Sequence, residues 1–181
     1  MQQCLQSNSP LILDADGLNC LAQQGTLSTL AQRKTPTILT PHQGEFQRLF
    51  ADLAASMSCR IAATQTAAQQ SGAIVLLKGA RVTIANPQGD VRINPESTPA
   101  LARGGSGDVL TGLMGGLLAQ ASAVENLSHL LEIVQSAVWW HAQAGILAMK
   151  TRTELGVDAF TLTQFLLPAL QKYCLAGKEN H

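Results

Sequence analysis

Residues 103–110 read Arg103-Gly104-Gly105-Ser106-Gly107-Asp108-Val109-Leu110. Three glycines ahead of an apolar helix let the backbone turn sharply and aim several N–H groups at one point. The positive end of the helix dipole adds to them, and the result is an anion hole. Asp108 sits where that hole ends. Beside the dipole a carboxylate stays ionised and can take the proton of a substrate hydroxyl during phosphoryl transfer. The plainer alternative is a helix break that Asp108 merely caps.

Three further polar clusters follow short apolar runs. Asp14-Ala15-Asp16-Gly17-Leu18-Asn19 comes after residues 10–13, Thr40-Pro41-His42-Gln43-Gly44-Glu45 after residues 35–40, and Lys78-Gly79-Ala80-Arg81 after residues 73–77. In open α/β sheets ligands bind beyond the carboxyl ends of the strands, which makes these clusters candidates together. Lys78 supplies a cation suited to phosphate, with a solvated loop lysine as the alternative. Asp14 and Asp16 have turn and cap bonding as theirs, and Glu45 a favourable first-turn charge. His141 falls on the apolar face of a helix and reads as a core histidine. His129 and His141 lack the i, i+4 spacing of a helical metal pair, and no metal site is expected.

The elements that must position these groups alternate. Residues 10–13, 35–40 and 73–77 read as buried strands, followed by Val82–Ala85 and a hairpin turn at residues 86–90 into residues 91–93. Residues 58–70 read as a helix with Ser58 as N-cap and Gly72 as its stop. Gly112, Gly115 and Gly116 weaken the helix after the glycine turn and suggest a close backbone neighbour. Residues 127–141 carry an apolar helical face, and a last helix starts near Asp158 with Pro168 kinking it or opening a new turn. One of Trp139 and Trp140 is expected to face the core and the other to cover a subunit contact. Strands flanked by helices indicate a mainly parallel sheet in one α/β domain.

Composition excludes several classes. The chain has 181 residues, 46% hydrophobic and 13% charged, with twelve Lys and Arg balancing twelve Asp and Glu. That is a globular composition without the clustered cations that nucleic acid requires. No apolar stretch is long enough to span a membrane, and residues 1–8 do not resemble a secretory signal. Cys4, Cys20, Cys59 and Cys174 have neither zinc nor disulfide spacing and are expected to be reduced thiols packed as small hydrophobes in a cytoplasmic protein.

DADGLN (14–19), LTPHQGEFQRL (39–49), VLLKGA (75–80) and GGSGDVLTG (104–112), in this order, resemble the nucleotide-dependent NAD(P)H-hydrate dehydratase family. The resemblance implies the ribokinase-like three-layer α/β/α sandwich of the wider carbohydrate kinase superfamily, with a mainly parallel sheet. It also implies a repair reaction, in which the extra hydroxyl of hydrated NADH or NADPH is phosphorylated by ADP or ATP and phosphate then leaves. On this basis Asp108 is the catalytic base. His42, Asp16, Asn94 and Asp108 contact the hydrate. Lys78, Gly79, Ala80, Arg81 and Val82 hold the nucleotide with Gly104, Gly105, Ser106 and Gly107, and Mg²⁺ accompanies its phosphates.

The sequence departs from the family in places. Val82 stands where a polar residue is usual, Arg103 precedes the glycines in place of Thr or Val, and residues 94–99 lack the family's loop glycine. Met1 lies only 13 residues before Asp14, whereas the family's domain begins well before that strand. The expectation is therefore one domain, residues 1–181, corresponding to the C-terminal portion of the family's fold. An uncovered sheet edge would favour homo-oligomers, and an NAD(P)H-hydrate epimerase is the expected companion. A ribokinase-like kinase for a vitamin precursor or sugar, and a non-catalytic fragment, are the competing readings.

Overall fold

Apolar runs too short for helices form the strands β1 (Leu11–Leu13), β2 (Thr37–Leu39), β3 (Ile74–Leu77), β4 (Val82–Ala85) and β5 (Val91–Asn94). The computed structural model describes residues 1–25, 27–56, 58–121 and 127–176. Between and after the strands run α1 (Gln2–Gln6), α2 (Asp16–Gln24), α3 (Leu27–Leu30), α4 (Gln43–Leu49), α5 (Ala51–Ser56), α6 (Arg60–Ser71), the 3₁₀ turn Pro99–Leu101, α7 (Ser106–Gln120), α8 (Leu127–Arg152) and α9 (Ala159–Ala176). The described residues form two compact units, one of those within 1–93 and 127–131, the other of those within 94–121 and 132–176.

The sheet has strand order β1-β2-β3-β4-β5, and all of it but Asn94 belongs to the first unit. β1 pairs with β2 and β2 with β3 in parallel, with Leu13 opposite Leu39 and Leu39 opposite Val75. β3 and β4 are antiparallel, Leu77 opposite Thr83, joined by the hairpin of residues 78–81. Every residue of β2 and β3 is buried, the pattern of parallel strands covered on both faces. Leu18 and Leu21 of α2, Phe46 and Leu49 of α4 and Ala67 and Ala68 of α6 pack with Leu13, Leu39, Val75 and Leu77 as one core. The small residues of α6 let it lie close to β3 and β4.

Gly72 ends α6 in the left-handed conformation, φ +65°, as its position in the sequence suggested. A Cβ there would stand 2.9 Å from the backbone Cα of Ala31. Gly72→Ala therefore combines backbone strain with a clash that no side chain can relieve. It is expected to lower stability by about 2 kcal/mol in urea unfolding.

The second unit packs Ala100, Ala144, Ala148, Val157, Leu162 and Ala169 as a separate core, with Val109, Trp140 and Phe165 against it. Asp158 opens α9, its Oδ1 accepting the Thr161 N–H at 2.7 Å. Both tryptophans turn toward α9: Trp139 meets Tyr173 edge-on at 4.9 Å, and Trp140 Nε1 donates to the Leu166 carbonyl at 2.6 Å.

The structure corrects several expectations. Cys59, with no side-chain bond, caps α6 in place of Ser58. α9 continues through Pro168, which lies inside one helix, so the proline does not open a new one. A Cβ on Gly112 or Gly116 would meet nothing within 4 Å among the described residues, so no close backbone accounts for these two glycines. Cys4, Cys20 and Cys59 are free, as expected, but exposed, not packed as hydrophobes. The Cys174 side chain lies outside the described residues. Among the described residues no helix is long and apolar enough to cross a membrane.

Candidate active site

Parallel pairing brings the carboxyl ends of β1, β2 and β3 to the same edge of the sheet, and the backbone stitches them there. The Thr40 N–H and hydroxyl both donate to the Leu13 carbonyl at 3.1 Å, and the Lys78 N–H donates to the Pro41 carbonyl at 2.8 Å. Lys78 Nζ, on the third strand end, lies 2.7 Å from Asp14 Oδ1 on the first and 3.9 Å from Glu45 Oε2 beyond the second. All three of these side chains are at least three-quarters buried. Burial alone would raise the Asp14 carboxyl. The Lys78 hydrogen bond and charge, helped by the Ala15 amide, outweigh it and hold the carboxyl below its ordinary range.

His42 organises the start of α4. Its Nδ1 accepts the N–H groups of Gly44 (2.9 Å) and Glu45 (3.3 Å), while Glu45 Oε2 accepts the His42 N–H at 2.7 Å, a reciprocal capping box. An accepting Nδ1 leaves the proton on Nε2, which lies 3.4 Å from Glu45 Oε1 on a half-exposed ring. Glu45 thus does more than place a charge in the first turn, because it joins His42 to the Lys78 group.

Asp14, not Asp16, reaches the lysine. Asp16 is exposed in the first turn of α2, with the Asn19 amide 3.5 Å from its carboxylate. Between the two aspartates Ala15 has φ +45° and ψ −116°, a conformation costing about 1–3 kcal/mol in a residue with a Cβ. Strain of this kind at the junction of β1 and α2 sits beside the ion pair. Ala80 and Arg81 are exposed at the tip of the β3–β4 hairpin, and Val82 is the half-buried first residue of β4.

In the second unit the glycine turn opens α7. Gly105 has φ +85°, and a Cβ there would lie 2.7 Å from the Ala159 Cβ, so both backbone and space call for glycine. Gly104 is exposed, with open space where a side chain would be. The Ser106 N–H is bound to the Arg103 carbonyl at 3.3 Å and the Val109 N–H to that of Gly105 at 3.1 Å. Gly107 and Asp108 carry the first-turn amides that a helix leaves without an internal acceptor, and Gly105 provides no capping side chain. The Asp108 carboxylate is exposed in that turn. Asn94 is buried, its amide donating to the Glu96 carbonyl at 2.7 Å; Gln143 holds the Glu96 carboxylate and accepts from the Tyr173 hydroxyl. That amide is occupied in shaping the loop before the 3₁₀ turn.

His141 is the residue that spacing alone undervalued. Its Nε2 lies 3.0 Å from the Ser106 carbonyl and 3.2 Å from the Ser106 hydroxyl. A carbonyl only accepts, so Nε2 carries the proton and the ring ties α8 to the first residue of α7. Burial lowers its pKa to about 4, despite the bond to Ser106. The folded state therefore refuses a proton that the unfolded chain takes up near pH 6.5, and stability falls as pH drops from 6.5 to 4. The loss should reach about 3 kcal/mol. In urea unfolding at pH 7 and pH 4.5, His141→Gln is expected to remove that slope.

Among the described residues no group of three His, Cys, Asp or Glu side chains is placed to hold a metal ion.

Comparison with known proteins gives the class of this fold. The chain superposes on a ribokinase-like superfamily protein of Enterococcus faecalis V583 with TM-score 0.66 and 26% identity, over 95% of this chain and 66% of that one. Similarity is higher to the ADP/ATP-dependent NAD(P)H-hydrate dehydratase of Bacillus subtilis, co-crystallised with ATP/Mg²⁺: TM-score 0.74 and 31% identity, over 95% of this chain and 58% of that one. The bifunctional NAD(P)H-hydrate repair enzyme Nnr of Synechocystis sp. is 56% identical over 173 residues, 96% of this chain and 32% of the relative. The chain thus spans about a third of the length of that curated relative. A model of the NAD(P)H-hydrate dehydratase family matches residues 1–167. The chain belongs to the NAD(P)H-hydrate dehydratase family.

Proposed function

We propose that this chain takes part in nucleotide-dependent dehydration of hydrated NADH and NADPH. The observation that carries the reading is the left-handed Gly105 turn opening α7, with Asp108 exposed in its first turn, in a chain of this family. Donors and dipole at such a turn suit a transferring phosphoryl group, and an adjacent carboxylate suits the hydroxyl that attacks it. The hydroxyl oxygen of the hydrate bonds to the terminal phosphorus, its proton passes to Asp108, and ADP leaves from ATP, or AMP from ADP. The carbon–oxygen bond to phosphate then breaks with loss of a neighbouring ring proton, which restores the reduced nicotinamide.

Gly104, Gly105, Ser106 and Gly107 are assigned to the phosphates by their backbone, since the Ser106 hydroxyl is engaged with His141. Lys78, Gly79, Ala80, Arg81 and Val82 are assigned to the nucleotide, and His42, Asp16 and Asn94 to the hydrate. With no three-ligand cage among the described residues, a Mg²⁺ would arrive on the nucleotide phosphates and keep most of its waters. Bound there, the ion would neutralise charge on the transferring group.

The reading extends to a single domain over residues 1–181 forming the C-terminal portion of the family's fold, a cytoplasmic homo-oligomer, and an NAD(P)H-hydrate epimerase as companion. The name of the Synechocystis relative, a bifunctional repair enzyme, supports the last. Product analysis tests the chemistry. Inorganic phosphate and reduced nicotinamide released together support dehydration. A stable phosphorylated small molecule would favour the kinase reading, which uses the same Asp108.

A further inference from the structure

Arg60, the first residue of α6, belongs to none of the motifs, yet its guanidinium reaches the carboxyl end of β3. Nη2 donates to the carbonyls of Leu77 and Lys78, at 2.6 Å each, and Nη1 lies 3.5 Å from Gln43 Oε1. Nη2 carries two N–H bonds, one for each carbonyl, and both carbonyls belong to the residues that lead into the hairpin. Arg60 Nε is buried without a partner among the described residues. The pair of bonds from Nη2, not full satisfaction of the side chain, therefore sets where the guanidinium lies. Burial also lowers the Arg60 pKa, so the placement carries a desolvation penalty.

Gly79, the next residue, packs against the same guanidinium. A Cβ on Gly79 would stand 2.8 Å from Arg60 Nη2 and 3.0 Å from Nη1. Gly79 has no positive φ to explain its identity. A guanidinium at the end of a flexible side chain could swing away from a new methyl group, but only by releasing the Leu77 and Lys78 carbonyls. The steric demand at Gly79 and the two hydrogen bonds are thus one device.

We infer that Arg60 is a positioning residue: its fork clamps the Leu77 and Lys78 carbonyls, imposes glycine at position 79, and so sets the backbone of the hairpin assigned to the nucleotide. The functional half of this inference rests on that assignment. Arg60 itself touches neither nucleotide nor hydrate in this scheme. It acts through the hairpin.

The test is a double-mutant cycle on the full chain with wild type, Arg60→Ala, Gly79→Ala and the double variant, reading ADP affinity by calorimetry and melting temperature in parallel. Each single change should weaken ADP binding about tenfold, and the double variant should bind within about twofold of Arg60→Ala, because the methyl group then has no guanidinium to displace. Arg60→Lys keeps a cation without the planar fork and should fall between wild type and Arg60→Ala. Losses that multiply to about a hundredfold in the double variant, or Arg60→Ala binding ADP like wild type, would overturn the inference. A wild-type chain that binds no ADP overturns the nucleotide assignment instead. The clamp is then judged on the melting temperatures: the same non-additivity supports it and additivity overturns it.

Discussion

Asp108→Asn is expected to lower turnover about a thousandfold while leaving ADP affinity within about twofold of wild type. The asparagine amide has the shape of the carboxylate but cannot take a proton. The groups assigned to the nucleotide phosphates are backbone amides that the change does not touch. A purely structural Asp108 predicts a different pattern. Gly105 is the N-cap of α7 and Asp108 is its third residue, where a charge stabilises a helix through the dipole by about 0.3–1 kcal/mol. The structural alternative therefore yields a small fall in melting temperature with turnover intact. Steady-state kinetics with a parallel melt separates the two.

Lys78→Met should lower stability by about 3 kcal/mol, measured by urea unfolding at pH 7. Asp14 and Glu45 would keep their buried positions and lose the cation beside them. Lys78→Met combined with Asp14→Asn should recover most of that loss, since the uncompensated carboxylate causes it. The pH dependence follows from the depressed Asp14 carboxyl. A folded pKa below the unfolded value near 3.8 contributes stability that is present above pH 4 and lost as pH falls through the folded value. Lys78→Met should flatten this acid limb. The double variant also isolates the nucleotide role of Lys78. Once stability is restored, any remaining deficit in ADP affinity belongs to the missing ammonium group, and none is expected if the lysine serves only Asp14.

The strands were legible because buried parallel strands have one signature, a short continuous apolar run. Residues 11–13, 37–39 and 74–77 show it, and the polar residues that end each run mark the edge of the sheet where the site collects. Gly72 was legible as a helix stop and Gly105 as a turn because few residues tolerate positive φ. The pairings were less so. Asp14 and Asp16 are two positions apart in sequence, and nothing local marks which of the two carboxylates meets Lys78, 64 residues from Asp14. Ser58 against Cys59 at the α6 N-terminus shows the same limit: a preferred capping residue one position too early does not move the helix. His141 sits on an apolar helical face, so spacing made it a core residue, and burial bears that out. Its bond to Ser106 depends on how α8 meets α7, which periodicity does not encode. Arg60 carries no local signal, since the carbonyls it serves lie 17 and 18 residues further on.

Recovery of NADH from its hydrate by the purified chain tests the central claim most directly. Reduced-nicotinamide absorbance is followed with Mg²⁺ and ADP, with Mg²⁺ and ATP, and with Mg²⁺ alone. Recovery is expected only when a nucleotide is present, with one phosphate released per NADH formed. A folded chain that binds nucleotide and yields no NADH would contradict it.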